Sequence, residues 1–527
     1  MRHINGTLAR RLGEDTPLKL VSSAKSWLCH EGVDRKSHIL PWGADKKADK
    51  VTPVEAVTTY LEHIREAWNS MMAVKDKASR LENQDIFLTV PASFDAIARE
   101  LTVLAARKAG LKDITLLEEP MSAFYAWLKN NEKSWREKVQ VGDTILVCDV
   151  GGGTTDFSLI NVKDNAGKLE LERIAVGNHI LLGGDNMDLA LAQFAKEKLK
   201  AEGHRMDMRQ TLELWHKCRQ AKEEILAEDG VEKVTVSVSG SGTALVGGML
   251  QVDLTLAEVE KIILGGFFAH CNIDDDTQLT RRGGLQELGL QYAAEPNILR
   301  HIISFLHKNK VGEQQFRHPT AVLFNGGVFK ANKLRNQTVD AINAWLSDDN
   351  ADEVRVLENN DYDLAVAFGA SYFGQVKTGS GVRIRGGLGR SYYIGIESSM
   401  PAIPGMLTPV KCLCVAPFGL EEGSDINLPE SEFALIVGEI AEFRFFSATG
   451  RQDDKVGDMI EDWEYEGIEE LTPVELRLET EEESGSQIPV TLKAKSSDIG
   501  TLELWFVTRD KSREWKLEFS VRPNISQ

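Results

Sequence analysis

Long apolar runs are missing from this 527-residue chain. Nothing approaches the ~20 consecutive apolar residues that a membrane-spanning helix needs. The N-terminal MRHINGTLARRLG lacks the apolar centre of a secretory signal. Cysteine is scarce and unpatterned: Cys29, Cys148, Cys218, Cys271, Cys412 and Cys414 contain no CxxC spacing, and the one CxC falls in a β-rich run. That usage excludes a disulfide framework and leaves reduced core thiols in a cytoplasmic protein. Positive charge is also in deficit. A net charge of −19 argues against a nucleic-acid partner or an anionic membrane surface. No internal repeat is visible. What remains is 42% hydrophobic and 27% charged, the composition of a soluble globular protein, and long enough for two to four domains with real cores.

The first twenty residues show only a basic, weakly helical stretch around Arg10 and Arg11, followed by Lys25 among small residues beside Trp27. Thr52-Pro53-Val54-Glu55 has the cap, the first-position proline and the third-position glutamate of a helix start. Behind it Val54, Val57, Leu61, Ile64 and Trp68 recur at helical spacing, which predicts one buried face. A buried strand, IFLTV, ends at Val90, and Ile97, Leu101, Leu104 and Ala105 mark the inner face of the next helix. A strand over 114–117 leads through Glu118-Glu119-Pro120 into another helix. This alternation means α/β architecture. Further on, Met187, Leu191 and Phe194 point a helix inward. Leu214, Cys218, Ala221 and Ile225 do the same for a helix whose other face, with Lys217, Arg219, Lys222 and Glu223, reads as solvated. A β excursion runs from Lys233 to Val252. AVLF before Asn325-Gly326-Gly327 is another buried strand, and 361–376 a small-residue helix. The glycines at 379, 381, 386, 387 and 389 mark a linker. Beyond them the period becomes two: Val474, Leu476, Leu478; Leu502, Leu504, Phe506; Trp515, Leu517, Phe519, Val521. That is an antiparallel β domain with one buried face.

The chain is organised around TILVCDVGGGTTDFSLINV, residues 144–162. It reads as strand, tight turn and returning strand. Gly151, Gly152 and Gly153 allow positive φ and close approach to a ligand. Their N–H groups, with those of Thr154 and Thr155, can form an anion nest for phosphate oxygens. Asp149 and Asp156 bracket it and can hold a hydrated Mg²⁺. A glycine-rich hairpin with capping aspartates explains the same residues without a ligand.

Taken in order, the motifs resemble a family. Val90-Pro91-Ala92-Ser93-Phe94 precedes a helix with Arg99. Leu117-Glu118-Glu119-Pro120-Met121-Ser122-Ala123 comes next, then DVGGGTTD from Asp149 to Asp156. Gly183-Gly184-Asp185-Asn186-Met187-Asp188 follows, then Leu323-Phe324-Asn325-Gly326-Gly327, and last Asp363 to Ala370. Over residues 20–376 this is similar to the nucleotide-binding domain of the DnaK-type heat-shock chaperones, in the actin-like ATPase superfamily. The resemblance implies that Gly151, Gly152, Gly153 and Thr154 contact phosphates, with Thr155, Gly183 and Gly184 alongside. It implies that Asp149 and Asp156 organise Mg²⁺, and that Lys25, Glu119 and Thr154 serve catalysis. Gly326 and Gly327 would form the turn under the adenosine of ATP or ADP, and Lys222 an adenine-side lysine. Pro91 and Arg99 would relay nucleotide state to a partner domain.

The implied fold class is an α/β actin-like ATPase over 1–376, a linker over 377–391 and a mainly antiparallel, substrate-binding-like β domain over 392–527. There are departures. The superfamily's first phosphate hairpin, Asp-x-Gly-Thr-Thr, has no counterpart at Asn5-Gly6-Thr7, so the first lobe reads as incomplete and ATP turnover by this chain is expected to be poor. Arg219 replaces an adenine-side acid, and no helical lid follows the β domain. The function implied is a divergent, nucleotide-gated chaperone that binds unfolded or extended peptide and answers to co-chaperones. The alternatives are a small-molecule kinase of the same superfamily, which would not need the β domain, and a pseudo-ATPase scaffold.

Overall fold

The computed structural model describes the chain apart from residues 1–2, 31–32, 45–47, 93, 95, 166–167, 178–179, 241–248, 276–292, 313, 360, 380, 387, 389–390, 400–407, 421–423, 429–431, 449–450, 452, 472, 479–482, 497–500 and 521–527. Ser93, Gly387, Gly389 and Val521, named above, lie outside the described residues. Two compact units emerge. The first comprises Met1–Phe94, Glu100–Ser158 and Gly177–Val382; the second comprises Asp95–Arg99, Leu159–Val176 and Arg383–Gln527.

The first third of the chain runs α1 (Gly6–Asp15), α2 (Ala24–Leu28), α3 (Pro53–Met72), β1 (Ile86–Val90), α4 (Ala96–Lys108), β2 (Ile114–Glu118), α5 (Glu119–Asn130), α6 (Trp135–Lys138), β3 (Thr144–Val150), β4 (Thr155–Asn165) and β5 (Lys168–Val176). Then come α7 (Gly184–Ala201), α8 (Met208–Ile225), β6 (Lys233–Val238), β7 (Leu250–Thr255), α9 (Leu256–Phe267), α10 (Ile298–Lys308), β8 (Ala321–Asn325), α11 (Asn332–Asp348), β9 (Arg355–Leu357) and α12 (Ala365–Lys377). In the first unit β3 pairs in parallel with β8, and β8 with β9. Every residue of β3 and of β8 is buried, which is why both read as unbroken apolar runs rather than alternating ones. Their register sets Asp149 opposite Asn325 at the carboxyl ends of the two strands. The expected β excursion is the antiparallel pair β6–β7.

Helix starts follow their caps. Thr52 accepts from the Glu55 N–H while the Glu55 carboxylate accepts from the Thr52 N–H, and Thr255 with Glu258 repeats the device at α9. The helix expected over 361–376 begins at Ala365. It packs on α5 through Gly369, where a Cβ would lie 1.7 Å from the Ser122 carbonyl oxygen.

Two helix faces differ from expectation. On α3, Val54, Ala56 and Leu61 are buried, but Ile64 is 55% exposed and Trp68 keeps its indole at the surface, donating to the Ser79 carbonyl. On α4 the buried face is Ala98, Leu101 and Ala105, and the larger Ile97 and Leu104 point outward. Small residues win the inner face because α4 needs close approach, and apolar surface left over is ordinary on a folded protein. Phe194 is only half-buried, unlike Met187 and Leu191.

The second unit adds β10 (Ile384–Gly386), β11 (Ser391–Glu397), β12 (Val410–Ala416), β13 (Asp425–Asn427), β14 (Phe433–Val437), β15 (Ile440–Phe443), β16 (Phe445–Ala448), β17 (Met459–Ile460), β18 (Glu469–Glu470), β19 (Val474–Arg477), β20 (Ser486–Ser496), β21 (Thr501–Thr508) and β22 (Glu514–Ser520). Within the glycine-rich stretch read as a linker, β10 pairs in parallel with β5. One five-stranded sheet has the order β17-β12-β11-β16-β18; a second runs β13-β20-β21-β22, with β14 also on β20. Their pairings are antiparallel. Ile394, Leu413, Phe445, Leu492, Leu504 and Leu517 share the core between them, so the period-two pattern marks a two-sheet sandwich. Among the described residues no helix is long and apolar enough to cross a membrane.

The α5–α12 contact is testable by sign. In an open helix Gly→Ala stabilises by about 0.8–1 kcal/mol. At Gly369 it should instead destabilise, by roughly 1–3 kcal/mol of overpacking, lowering the urea midpoint. An unchanged or raised midpoint would mean that the two helices do not touch there.

Candidate functional site

The turn between β3 and β4 is held from two sides by glycines. Gly184 N–H donates to Gly151 O at 3.0 Å and Asp185 N–H to Gly152 O at 2.8 Å, so the start of α7 grips the turn's carbonyls. A Cβ on Gly183 would lie 2.6 Å from Gly151 O. On the other side Gly326, with φ +88°, would put a Cβ 2.3 Å from Val150 O and 2.7 Å from Asp149 Oδ1. Only glycine allows these approaches. By contrast, Gly151, Gly152 and Gly153 do not take up positive φ. The close approach expected of them is instead made by Gly183 and Gly326, because the turn is shaped by what packs on it.

The N–H groups divide. Gly151 N–H donates to Thr154 O within the turn, and Thr155 N–H to Ile180 O. Among the described residues, those of Gly152, Gly153 and Thr154 make no such bond, and they are the donors left for an anion. Thr155 Oγ1 donates to Leu182 O at 2.8 Å, fixing the first residue of β4.

An acidic cluster with one lysine lies beside the turn. Lys25 Nζ donates to both carboxylate oxygens of Glu119, at 2.8 and 3.1 Å. Asp149 is buried, and its pKa is pushed up to about 7 by that burial and by the neighbouring charges of Glu119 and Asp156, against the pull of the Asn325 amide, which donates to it at 3.0 Å. Asn359 in turn donates to Phe324 O and Asn325 Oδ1. Burial works against the charge of Lys25, but Glu119, Asp156 and Asp149 outweigh it and hold its pKa above the ordinary lysine value. The Lys25 side chain is 47% exposed and lines a cleft.

The cleft, about 1470 Å³, is lined by Gly152, Gly153, Lys25, Asp185 and Asp188 at one end. Trp215, His216, Arg219 and Glu223 of α8 line a wall, and α1 with Tyr60 and Ile64 of α3 lines another. Ile64, expected in the core, is therefore a wall residue. Lys222 also departs from the solvated face expected of α8. It is buried, with Nζ 2.6 Å from Asp188 Oδ1 and donating to Gly184 O at 3.2 Å. Burial raises Asp188 to about 6 despite Lys222 and Arg219. Arg219 donates to Glu223 at 3.1 Å and stands 3.8 Å from Asp185, whose other oxygen accepts from Ser23.

The structure thus gathers Lys25, Glu119, Asp149, Asp156, Gly151, Gly152, Gly153, Thr154, Thr155, Gly183, Gly184 and Gly326 around one turn. Lys222 reaches the same place through Gly184. Gly327 follows Gly326 into a short turn of helix, and nothing lies within 4 Å of where its Cβ would be. Arg99 is buried in α4. Asn325, Asp185 and Asp188 sat inside recognised motifs but had no assigned role; their register and burial supply one. Ser23 and Ser26 gave no signal at all, yet a Cβ on Gly153 would lie 2.9 Å from Ser26 Oγ.

Comparison with known proteins bears on the same stretch. The family model described as Hsp70 protein matches residues 27–265, a range that includes Glu119, the turn, Gly183, Gly184 and Lys222. The chaperone protein HscA of Enterobacter sp. (strain 638) is 31% identical over 244 residues, 45% of this chain and 37% of that protein. The HscA homologue of Rickettsia bellii (strain RML369-C) is 31% identical over 209 residues, covering 38% and 32%. That of Acinetobacter baumannii (strain SDF) is 29% identical over 188 residues, covering 36% and 28%. The matches span about a third of the length of these relatives.

The Asp188–Lys222 pair makes a pH prediction. A carboxyl raised to about 6 keeps in the fold a proton that the unfolded chain releases near its ordinary value of 3.8. It therefore favours the fold at low pH, and that contribution is lost as pH rises through 6. Asp188→Asn cannot lose it. The melting temperature of the variant, relative to the parent chain, should rise between pH 5 and pH 8; a constant difference would mean that Asp188 titrates normally.

Proposed function

Because residues 27–265 make this chain a member of the DnaK-type 70-kDa heat-shock protein family, we propose that it is a chaperone whose first unit binds ATP and ADP at the β3–β4 turn. One observation carries this reading: three N–H donors are left on a turn clamped by Gly183 and Gly326, beside a lysine–carboxylate cluster at the end of a large cleft. The fold reading is an actin-like nucleotide-binding region over 1–376, a linker over 377–391 and a substrate-binding-like β region over 392–527.

Mg²⁺ fits the carboxylates. Asp149, Asp156 and Glu119 repel one another enough to raise Asp149, and a cation would relieve that repulsion. Among the described residues no three His, Cys, Asp or Glu converge on a bare metal ion, so Asp149 and Asp156 would hold the ion through its waters. Bound there, it would neutralise phosphate charge. Gly152, Gly153 and Thr154 would donate to phosphate oxygens, and Lys25 with Glu119 would orient a water for attack. Gly326 and Gly327 would lie under the nucleoside, and Lys222, through Gly184, would brace that side.

Asp149→Asn and Gly152→Val should each weaken Mg·ADP binding at least tenfold, about 1.4 kcal/mol, in calorimetric titration. A Cβ on Gly152 meets only Asp185 Oδ1, at 3.5 Å, so the fold tolerates a side chain there. Unchanged affinity in both variants would take the phosphate site away from this turn.

The second unit, on this reading, captures unfolded or extended apolar peptide, with co-chaperones acting on the cycle. Sheet-edge capture needs only backbone hydrogen bonds and a few side-chain pockets. Fluorescent apolar peptides titrated into the full chain should bind at micromolar concentration and release faster with Mg·ATP. If none binds below millimolar, the β unit is a packing domain.

A further inference from the structure

The five-stranded sheet of the second unit has two apolar faces, and only one meets the other sheet. Tyr392, Ile394, Leu413, Val415 and Phe445 point into the sandwich core. Their neighbours along the same strands, Tyr393, Cys412, Cys414, Phe446 and Ala448, point the other way and are also buried. What covers them is the stretch from Asp453 to Glu470, which leaves β16, runs over this outer face and returns. On the way it adds β17 to the free edge of β12 and β18 to the free edge of β16. One strap therefore closes the face and both edges of the sheet.

The strap is held by Ile468, buried against the outer face, by Val456 against the sandwich core, and otherwise by short contacts. Each edge pairing is two residues long. Cys414 exchanges backbone hydrogen bonds with Gly457 and Asp458, at 2.9 and 2.8 Å. Trp463 leans on Phe446 at 4.7 Å, and the Arg444 guanidinium lies over both rings. Two basic residues of the sheet take strap carboxylates: Arg444 donates to Glu470 at 2.6 and 2.7 Å, and Lys411 to Glu461. Tyr393 OH donates to Asp454, which also receives Arg451. Residues 451–470 carry nine Asp and Glu against Arg451 and Lys455. Tyr465, in the middle, is 88% exposed and packs on nothing that holds the strap. Of the ion pairs that cross to the sheet, Lys411–Glu461 is exposed and adds little, and two-residue ladders are weak.

We propose that this outer face is a binding face for an extended acidic peptide with aromatic or aliphatic residues, and that the strap is its built-in occupant. The chemistry is read from the sheet. The edges of β12 and β16 offer backbone pairing, Phe446 and Cys412 offer an apolar floor, and Arg444 and Lys411 select carboxylates flanking the apolar side chain. A ligand of that composition displaces the strap; a basic one leaves both cations unpaired. The proposal rests on reading the second unit as a peptide binder and narrows its ligand to one class.

The probe is a fluorescein-labelled peptide of residues 457–470, titrated by anisotropy into the full chain and into a Trp463→Ala/Glu470→Ala variant with a loosened strap. The variant should bind at least tenfold tighter than the parent chain, should ignore a peptide with lysine at the acidic positions, and should lose binding when Arg444→Glu is added. Equal affinity in parent and variant overturns the proposal, as does absence of binding in a variant that keeps the parent's melting transition. Should the variant fail to fold, hydrogen exchange on the parent decides instead: the amides of 457–470 must exchange ahead of those of β11, and exchange in step with β11 overturns it. Binding of apolar peptides without binding of the 457–470 peptide removes this inference and leaves the peptide-binding reading standing; binding of neither removes both.

Discussion

Everything at the candidate site depends on two backbone approaches that no side chain would permit. Gly183 rests on the carbonyls of Gly151 and Gly152, and Gly326 rests on that of Val150. Between them they hold the β3–β4 turn in a conformation its own glycines do not dictate. Two of the turn's N–H groups are consumed in holding it, and three find no acceptor among the described residues. A turn fixed this way is organised before any ligand arrives, which is the condition for backbone donors to stabilise charge without reorganising.

The carboxylates follow from the same geometry. The β3–β8 register that buries both strands also brings Asp149 against Asn325, inside the protein and near Glu119 and Asp156. Burying like charges is costly, and the cost appears as a raised Asp149 and as a lysine held between acids. Such a cluster adds nothing to the fold that an apolar substitute would not. The Mg²⁺ proposed above would offset that cost, a reading that the Hsp70 match over residues 27–265 supports. The second unit solves a different problem. Its sandwich core is conventional, but one sheet carries apolar residues on its outward face as well, and an acidic strap covers them.

Much of this was legible in the residues alone. The order of the motifs pointed to the family, period two pointed to the β unit, and the helix start at Thr52 stood in the sequence as such, because each depends on neighbours within a few positions. Helix faces were harder. Ile64, Trp68, Ile97 and Leu104 follow helical spacing and are nevertheless exposed, since periodicity records which residues could be buried, and tertiary contacts choose among them. Lys222 misled in the opposite sense: beside other charged residues it reads as solvated, and only the packing of α8 on α7 encloses it with Asp188.

What the sequence determined by itself was local and ordered: which stretches form strands and helices, where they start, and which turn carries the glycines and aspartates. The tertiary structure decided what no window of sequence contains. It chose the glycines of 183 and 326 to make the close approaches, brought Lys25 to Glu119 across 94 positions, and laid an acidic segment over a sheet face. The reason is physical. Local structure is set by propensities and caps that act within a turn or two of the chain, whereas burial, pKa and backbone contact depend on distances in space, which are fixed only when the whole chain packs.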